Sequence, residues 1–194
     1  MEITSVQLKE LRDKTGISVM QCKKALEEAG GDMDKAVIIL KKKRSEAADK
    51  KSDRFLGAGA VGSYVHNTNE VAALVLLACE TDFVSKNQEF VDLARAVAMQ
   101  VAATNPSYVT KDQVPAEALK KAEEVFATEI VGKSAEMQVK ILEGKMASYF
   151  KEQILMEQDF IKNQDTTIGE MINGAVQKFG ENVSIAQMTR ISVK

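Results

Sequence analysis

The sequence predicts an α+β protein: an N-terminal bundle of three helices, a charged linker, and a core of small antiparallel sheet with flanking helices. Three observations predict it. Capping residues and glycines cut the first 43 residues into three short amphipathic segments. A near-continuous apolar run, residues 71–80, follows a polar turn at Asn67-Thr68-Asn69 and reads as the second strand of a hairpin. An alternating segment, 183–193, returns after a succession of helical patterns and can close the sheet.

In the first helix Val6, Leu8 and Leu11 give an apolar side, and Thr15-Gly16 ends it, glycine tolerating the left-handed conformation past a C-terminus. Ser18 with Gln21 forms a capping box that opens a second helix, with Val19, Cys22, Ala25, Leu26 and Ala29 on one face. Gly30-Gly31 breaks it, and Asp32 caps a third, where Met33, Ala36, Val37 and Leu40 follow helical spacing. Residues 1–43 are thus a bundle, 44–54 a charged helical linker, and 55–194 the α+β core. In the core, Ser63-Tyr64-Val65-His66 is a first strand, preceded by glycines 57, 59 and 62 as bulge or turn positions. The run 71–80 reads as a strand buried on both faces.

A helix follows from about Asn87, carrying Phe90, Leu93, Ala94, Val97, Ala98, Val101 and Ala102, and Asn105-Pro106 ends it. Pro115 starts another, to about Ile130, with Leu119, Ala122, Val125 and Phe126 inward. Residues 134–154 continue as a helix with Met137, Ile141, Leu142, Met146, Tyr149 and Phe150. Residues 167–179 are the last helix, stopped by Gly180.

The composition restricts the chemistry. Among 194 residues there is one histidine, His66, two cysteines, Cys22 and Cys79, and no tryptophan. A zinc site of Cys and His would consume almost the whole supply, and two lone cysteines are no disulfide framework. No run approaches the about 18 apolar residues of a membrane span, and Met-Glu-Ile-Thr-Ser opens without a basic or apolar leader pattern. The expected setting is the cytoplasm, with no membrane partner. Net charge is −2, and the one basic run, Lys41-Lys42-Lys43-Arg44 with Lys50-Lys51 and Arg54, is short, lacks aromatics and is interrupted by acids. It reads as a solvated helix end rather than a nucleic-acid surface.

The glycines before Ser63 match neither a phosphate loop nor a dinucleotide fingerprint. His66 and Cys79 on adjoining strands could be a base and a nucleophile, but Cys79 sits in an apolar run that raises a thiol pKa, and no orienting third group is evident. The unusual stretch is Cys79-Glu80-Thr81-Asp82-Phe83-Val84-Ser85-Lys86-Asn87, where the apolar strand ends and a helix begins. The residues leave two arrangements open. Phe83 or Val84 folds back as a hydrophobic staple with Asp82 or Ser85 as cap, which carries somewhat more weight, or Phe83 projects as a recognition finger.

Two segments resemble one family, elongation factor Ts, the guanine-nucleotide exchange factor of elongation factor Tu. The first is Leu11-Arg12-Asp13-Lys14-Thr15-Gly16 with Cys22-Lys23-Lys24-Ala25-Leu26, Gly31-Asp32 and Ala36, which is similar to the family's ubiquitin-associated-like bundle. The second is Glu80-Thr81-Asp82-Phe83-Val84-Ser85-Lys86, which resembles the signature of its core. Gly62-Ser63-Tyr64-Val65-His66, Leu142-Glu143-Gly144-Lys145-Met146 and the closing strand also fit, so the resemblance spans nearly the whole chain.

It implies that Thr81, Asp82, Phe83 and Val84 dislodge the partner's Mg2+, with Phe83 as a wedge between its helices and His66 at the same contact. It also implies docking of the bundle on the same partner domain through Arg12, Val19, Met20 and Lys23, and contact of the middle helices with another domain. The resemblance implies a translation factor that is not an enzyme, with no cofactor and no resident metal. This sequence has one core where longer relatives have two. Short relatives can pair as homodimers, and with no cysteine in the closing strand a dimer here would be non-covalent. A bundle of this type also fits an adaptor, the competing class to an exchange factor, and a Cys-His enzyme is the third.

Overall fold

The computed structural model describes residues 3–130 and 134–193, with only the backbone of Ala135. Residues 1–2 of the expected bundle, and residues 131–133 and 194 of the expected core, lie outside the described residues.

The bundle consists of α1 (Ser5–Thr15), α2 (Val19–Glu28) and α3 (Met33–Asp49). Thr4 caps α1 with a reciprocal box to Gln7, a start the apolar spacing did not reveal. Gly16 ends α1 at φ 67, and Gly30 and Gly31 turn the chain at φ 65 and 85. Ser18 accepts from the Gln21 amide as expected, but the Gln21 side chain takes the Ser18 hydroxyl proton instead of reaching the cap backbone. Leu11, Ile17, Cys22, Ala25, Leu26, Ala36 and Leu40 form the bundle's core. Val6 and Val19 do not join it. They are 73% and 47% exposed, because three short helices have too little interior to hold every apolar residue on the predicted faces.

Helix α3 runs unbroken through Asp49, so Lys41–Arg44 lie in its second half and Lys50, Lys51 and Arg54 follow its end. That second half packs on α8 (Ile168–Phe179), which Thr167 opens with a capping box and Gly180 closes at φ 74.

Strands β1 (Ala58–Val65), β2 (Val71–Cys79) and β5 (Val183–Ser192) form an antiparallel sheet in the order β1-β2-β5. Ala58 pairs with Cys79, Val65 with Ala72, and Cys79 with Val183. Helix α5 (Gln88–Thr104) covers one face, where Ala73, Val75, Leu77, Phe90, Val97, Ile172 and Ile185 meet. The expected strand buried on both faces is not found. Leu74 on β2's other side is 49% exposed, since helices cover only one face and the outer residues see solvent.

The glycines are also reassigned. Gly59 and Gly62 lie within β1, and a Cβ at Gly62 would stand 2.1 Å from the Ala94 carbonyl carbon of α5. Glycine there admits the helix against the strand rather than making a turn.

Helix α6 (Ala116–Glu129) and α7 (Ala135–Gln153) pair beside this core around Phe150, Val114 and Ile154. None of the described residues of α6 is buried. Leu119 and Val125 are 38% and 58% exposed, and Met137 and Tyr149 of α7 are also exposed, because a two-helix hairpin has no third layer over its apolar face. A hairpin of β3 (Asp159–Phe160) and β4 (Asn163–Thr167) was not foreseen from the polar sequence. It is tied to α5 by buried Gln100, whose amide donates to the Gln158 side chain and Asp159 carbonyl and accepts from the Ile161 amide.

Candidate functional site

The corner between β2 and α5 holds a single helical turn, α4 (Asp82–Ser85), and it separates two adjacent apolar residues. Val84 turns inward and is 8% exposed in the sheet core, whereas Phe83 is 87% exposed. One buried neighbour therefore anchors the turn while the ring projects. Val84 thus makes the inward contact that the staple reading allowed, and Phe83 projects into solvent.

The mount is pinned by residues about a hundred positions later in the chain. Pairing of Cys79 with Val183 brings Glu181 and Asn182 alongside the start of the corner. The Glu181 carboxylate accepts from the amides of Glu80 and Thr81 at 3.1 and 3.0 Å, and from the Thr81 hydroxyl at 2.5 Å. Glu80 in turn accepts from the Asn182 amide at 2.6 Å and from Arg54 at 3.2 Å. Asn182, buried, donates its side-chain amide to the carbonyls of Ser52 and Arg54. Asp82 is exposed and paired with Lys86 at 2.6 Å, one turn on.

The Asn182 amide, followed by Arg54, holds the Glu80 carboxyl below its ordinary range, and Lys86 does the same for Asp82. Both are charged acceptors at neutral pH. Burial, reinforced by Glu181, pushes the Cys79 thiol up, which makes it a poor nucleophile.

Sequence reasoning missed Glu181 and Asn182. The signal was present in Gly180, which marks the turn into a strand whose register with β2 sets them opposite Glu80 and Thr81. It also missed Phe55, 86% exposed after Arg54. A Cβ at Gly57 would lie 3.2 Å from its ring and 3.3 Å from the Glu80 carbonyl, so this aromatic lies near the same corner.

His66 is not brought to the corner. It extends past the end of β1, exposed, with its Nδ1 3.2 Å from the Tyr64 hydroxyl. It borders a groove of about 350 Å³ with Met99, Ile161 and Arg190. The β1–β2 register puts Cys79 at the hairpin's other end, about eight residues or roughly 26 Å away at strand spacing. No Cys-His pair forms within one chain, and His66 stands at the opposite end of the hairpin from the Phe83 corner, because antiparallel pairing sends the two strand ends in opposite directions.

A second exposed patch lies on the bundle. Met20 is 66% exposed beside Val19 in the first turn of α2, and exposed Lys23 follows on that helix, 3.9 Å from Glu27. Arg12, near the end of α1, borders with Ser18 and Gln21 a groove against α8. Among the described residues no cluster of three or more His, Cys, Asp and Glu could hold a metal, and no helix is long and apolar enough to cross a membrane.

Chemically, the corner presents a ring with two side-chain torsions on a backbone already held in place. Burying such a side chain contributes about 1.5–3 kcal/mol, and little ordering opposes it. It suits insertion into an apolar crevice flanked by groups that tolerate a carboxylate and an ammonium.

Comparison with known proteins adds a family. The sequence model described as Elongation factor TS matches residues 40–194, which include the corner and the whole sheet. The Elongation factor Ts of Carboxydothermus hydrogenoformans is 44% identical over 193 residues, 98% of this chain and 89% of that protein. That of Thermodesulfovibrio yellowstonii is 42% identical over 194 residues, 100% of this chain and 97% of that protein. That of Thermotoga petrophila is 42% identical over 193 residues, again 100% and 97%.

Proposed function

This chain belongs to the elongation factor Ts family of translation elongation factors, and from that premise we propose that it is the guanine-nucleotide exchange factor of elongation factor Tu, working in the cytoplasm. The observation that carries the reading is Phe83, 87% exposed on a corner pinned by Glu181. The ring enters the partner's nucleotide domain, and the backbone of Thr81–Val84 with the Asp82 carboxylate displaces the ligands of the partner's Mg2+. Magnesium bridges the phosphates of a bound nucleotide, so losing its ligands removes a large electrostatic attraction and GDP leaves. Linkage requires that a protein which binds the empty partner more tightly than the loaded one weaken nucleotide binding by the same factor. GTP then enters by mass action. No covalent bond is made or broken, so the protein is a binding protein rather than an enzyme, without cofactor or metal of its own.

In this reading residues 1–43 dock on the partner through Arg12, Val19, Met20 and Lys23, residues 44–54 connect, and residues 55–194 carry exchange. A further reading concerns the sheet's outer face, where Val61, Val65, Leu74 and Ile191 are 62, 60, 49 and 66% exposed. A second copy stacked there would cover this apolar face as a non-covalent homodimer. It would also offer the partner a second His66, which within one chain lies far from Phe83.

Release of a fluorescent GDP from elongation factor Tu tests the exchange reading. The chain should accelerate release, and Phe83→Ala should lower the maximal rate about tenfold or more with an unchanged circular dichroism spectrum. Undiminished acceleration by that variant would remove Phe83 from the mechanism. No acceleration by the wild type, together with binding of the bundle to a ubiquitin-like partner, would favour the adaptor.

A further inference from the structure

Two exposed surfaces on one chain act together only if their spacing suits the partner. The bundle and the core are joined covalently through α3, and α1 and α2 pack on each other and on α3 in their own small core. What holds these two helices to α8 is a cluster around Arg44. Its Nε donates to the Gln177 Oε1 of α8 at 3.0 Å, and a terminal nitrogen donates to the Thr15 carbonyl at the end of α1. The Gln177 amide donates onward to the Gln21 Oε1 of α2 at 3.0 Å. One planar guanidinium with one amide therefore links all three bundle helices to α8.

The surroundings favour this use of arginine. Arg44 is half-buried, and its two acceptors are neutral: a side-chain amide, and a carbonyl at the negative end of the α1 dipole. Gly174 of α8 lies beside the guanidinium: a Cβ there would be 3.8 Å from an Arg44 terminal nitrogen, an ordinary contact. Nearly one turn earlier on α3, Lys41 pairs with Glu170 of α8 at 2.8 Å. Arg44 belongs to neither hydrophobic core. Removing it should leave both cores folded.

We propose that Arg44 is a positioning residue, a clasp through Thr15, Gln177 and Gln21 that sets the Met20 patch at a fixed spacing from Phe83. The two surfaces then meet the partner as one prearranged body. A preset spacing removes the ordering cost of bringing two tethered surfaces into register, so the clasp acts on affinity and not on the displacement step. Its value to exchange rests on the function proposed above, whereas the clasp itself does not.

The test uses the full chain with spin labels on Lys24→Cys of α2 and Lys162→Cys of the β3–β4 turn, the native cysteines being buried. The label-to-label distance distribution should be narrow in the parent and clearly broader in Arg44→Ala and in Gln177→Ala, with the double variant no broader than either. Arg44→Lys keeps the charge but has no fork to span two acceptors, so it should stay close to Arg44→Ala. In GDP release, Arg44→Ala should raise the half-saturating concentration about three- to tenfold and leave the maximal rate unchanged.

An equally narrow distribution in Arg44→Ala, or full recovery by Arg44→Lys, overturns the clasp. A broadened distribution with unchanged half-saturation overturns its role in positioning. If the wild type fails to accelerate release, the proposed function falls while the distance measurement still decides the clasp.

Discussion

The corner at residues 81–86 and the face of α2 both present exposed apolar side chains, yet they are built in opposite ways. At the corner one turn of helix is held by groups distant in sequence, Glu181, Asn182 and the buried side chain of Val84. On α2 the helix supports itself, with a Ser18 cap and Leu26 and Cys22 beneath; it reaches the core through α3, and its side-chain link to α8 runs through Gln177 and Arg44. A surface made from distant contacts is stiff and depends on the whole fold. A surface on a locally capped helix depends on its own turn and adds area. Changes at the corner should therefore alter the maximal rate of exchange, and changes on α2 the concentration needed to reach it.

Gly62→Ala attacks the mount most severely. Its new Cβ would lie 2.1 Å from backbone atoms of Ala94, so α5 must lift off β1, at a cost of about 3 kcal/mol or more. The denaturation midpoint of the core should fall steeply while the bundle's helices persist. A midpoint near wild type would mean that the corner sits on a yielding base.

Glu181→Ala should come next. It leaves the Glu80 and Thr81 amides without their acceptor, worth about 1–2 kcal/mol at this partly exposed site. The maximal exchange rate should drop several-fold with half-saturation little changed, and Glu181→Gln should fall between. A change confined to half-saturation would erase the contrast between the two surfaces.

Met20→Ala probes the other side. Met20 is 66% exposed, so thermal stability should hold, while half-saturation rises about two- to fivefold at an unchanged maximal rate. A lowered maximal rate would place α2 in the displacement step.

The smallest effect is that of acid. The folded Glu80 carboxyl titrates below its ordinary value, so the unfolded chain binds the extra proton. The stability it contributes is full above the ordinary carboxylate range and is lost as pH falls through the lowered folded value. Hydrogen-exchange protection of the Asn182 amide should fall in that window, and Glu80→Gln should remove the dependence. The same dependence in Glu80→Gln would assign it elsewhere.

Much of this was legible from local signals. Gly16, Asp32, Asn87, Asn105 and Gly180 act at the helix ends where spacing placed them, because caps and left-handed turns are decided within a few residues. Faces were read less well. Val6, Val19, Leu119 and Val125 obey helical spacing and still meet solvent, since periodicity identifies an apolar side but not whether another layer covers it. The β3–β4 hairpin escaped because Asn163, Gln164 and Asp165 carry no strand pattern, and Gln100 holds it through a long-range amide.

By itself the sequence determined the α+β order, the helix ends of bundle and core, and the position of the strand-to-helix corner at Thr81–Lys86. These follow from composition, caps and local periodicity. Only the tertiary structure decided that Phe83 projects while Val84 anchors, that Glu181 and Asn182 pin the corner, that His66 lies at the far end of the hairpin, and that Arg44 spans the bundle and α8. Each depends on pairing between residues tens to a hundred positions apart. Strand register and helix packing set such pairings through the whole buried core, and no short window of sequence contains them.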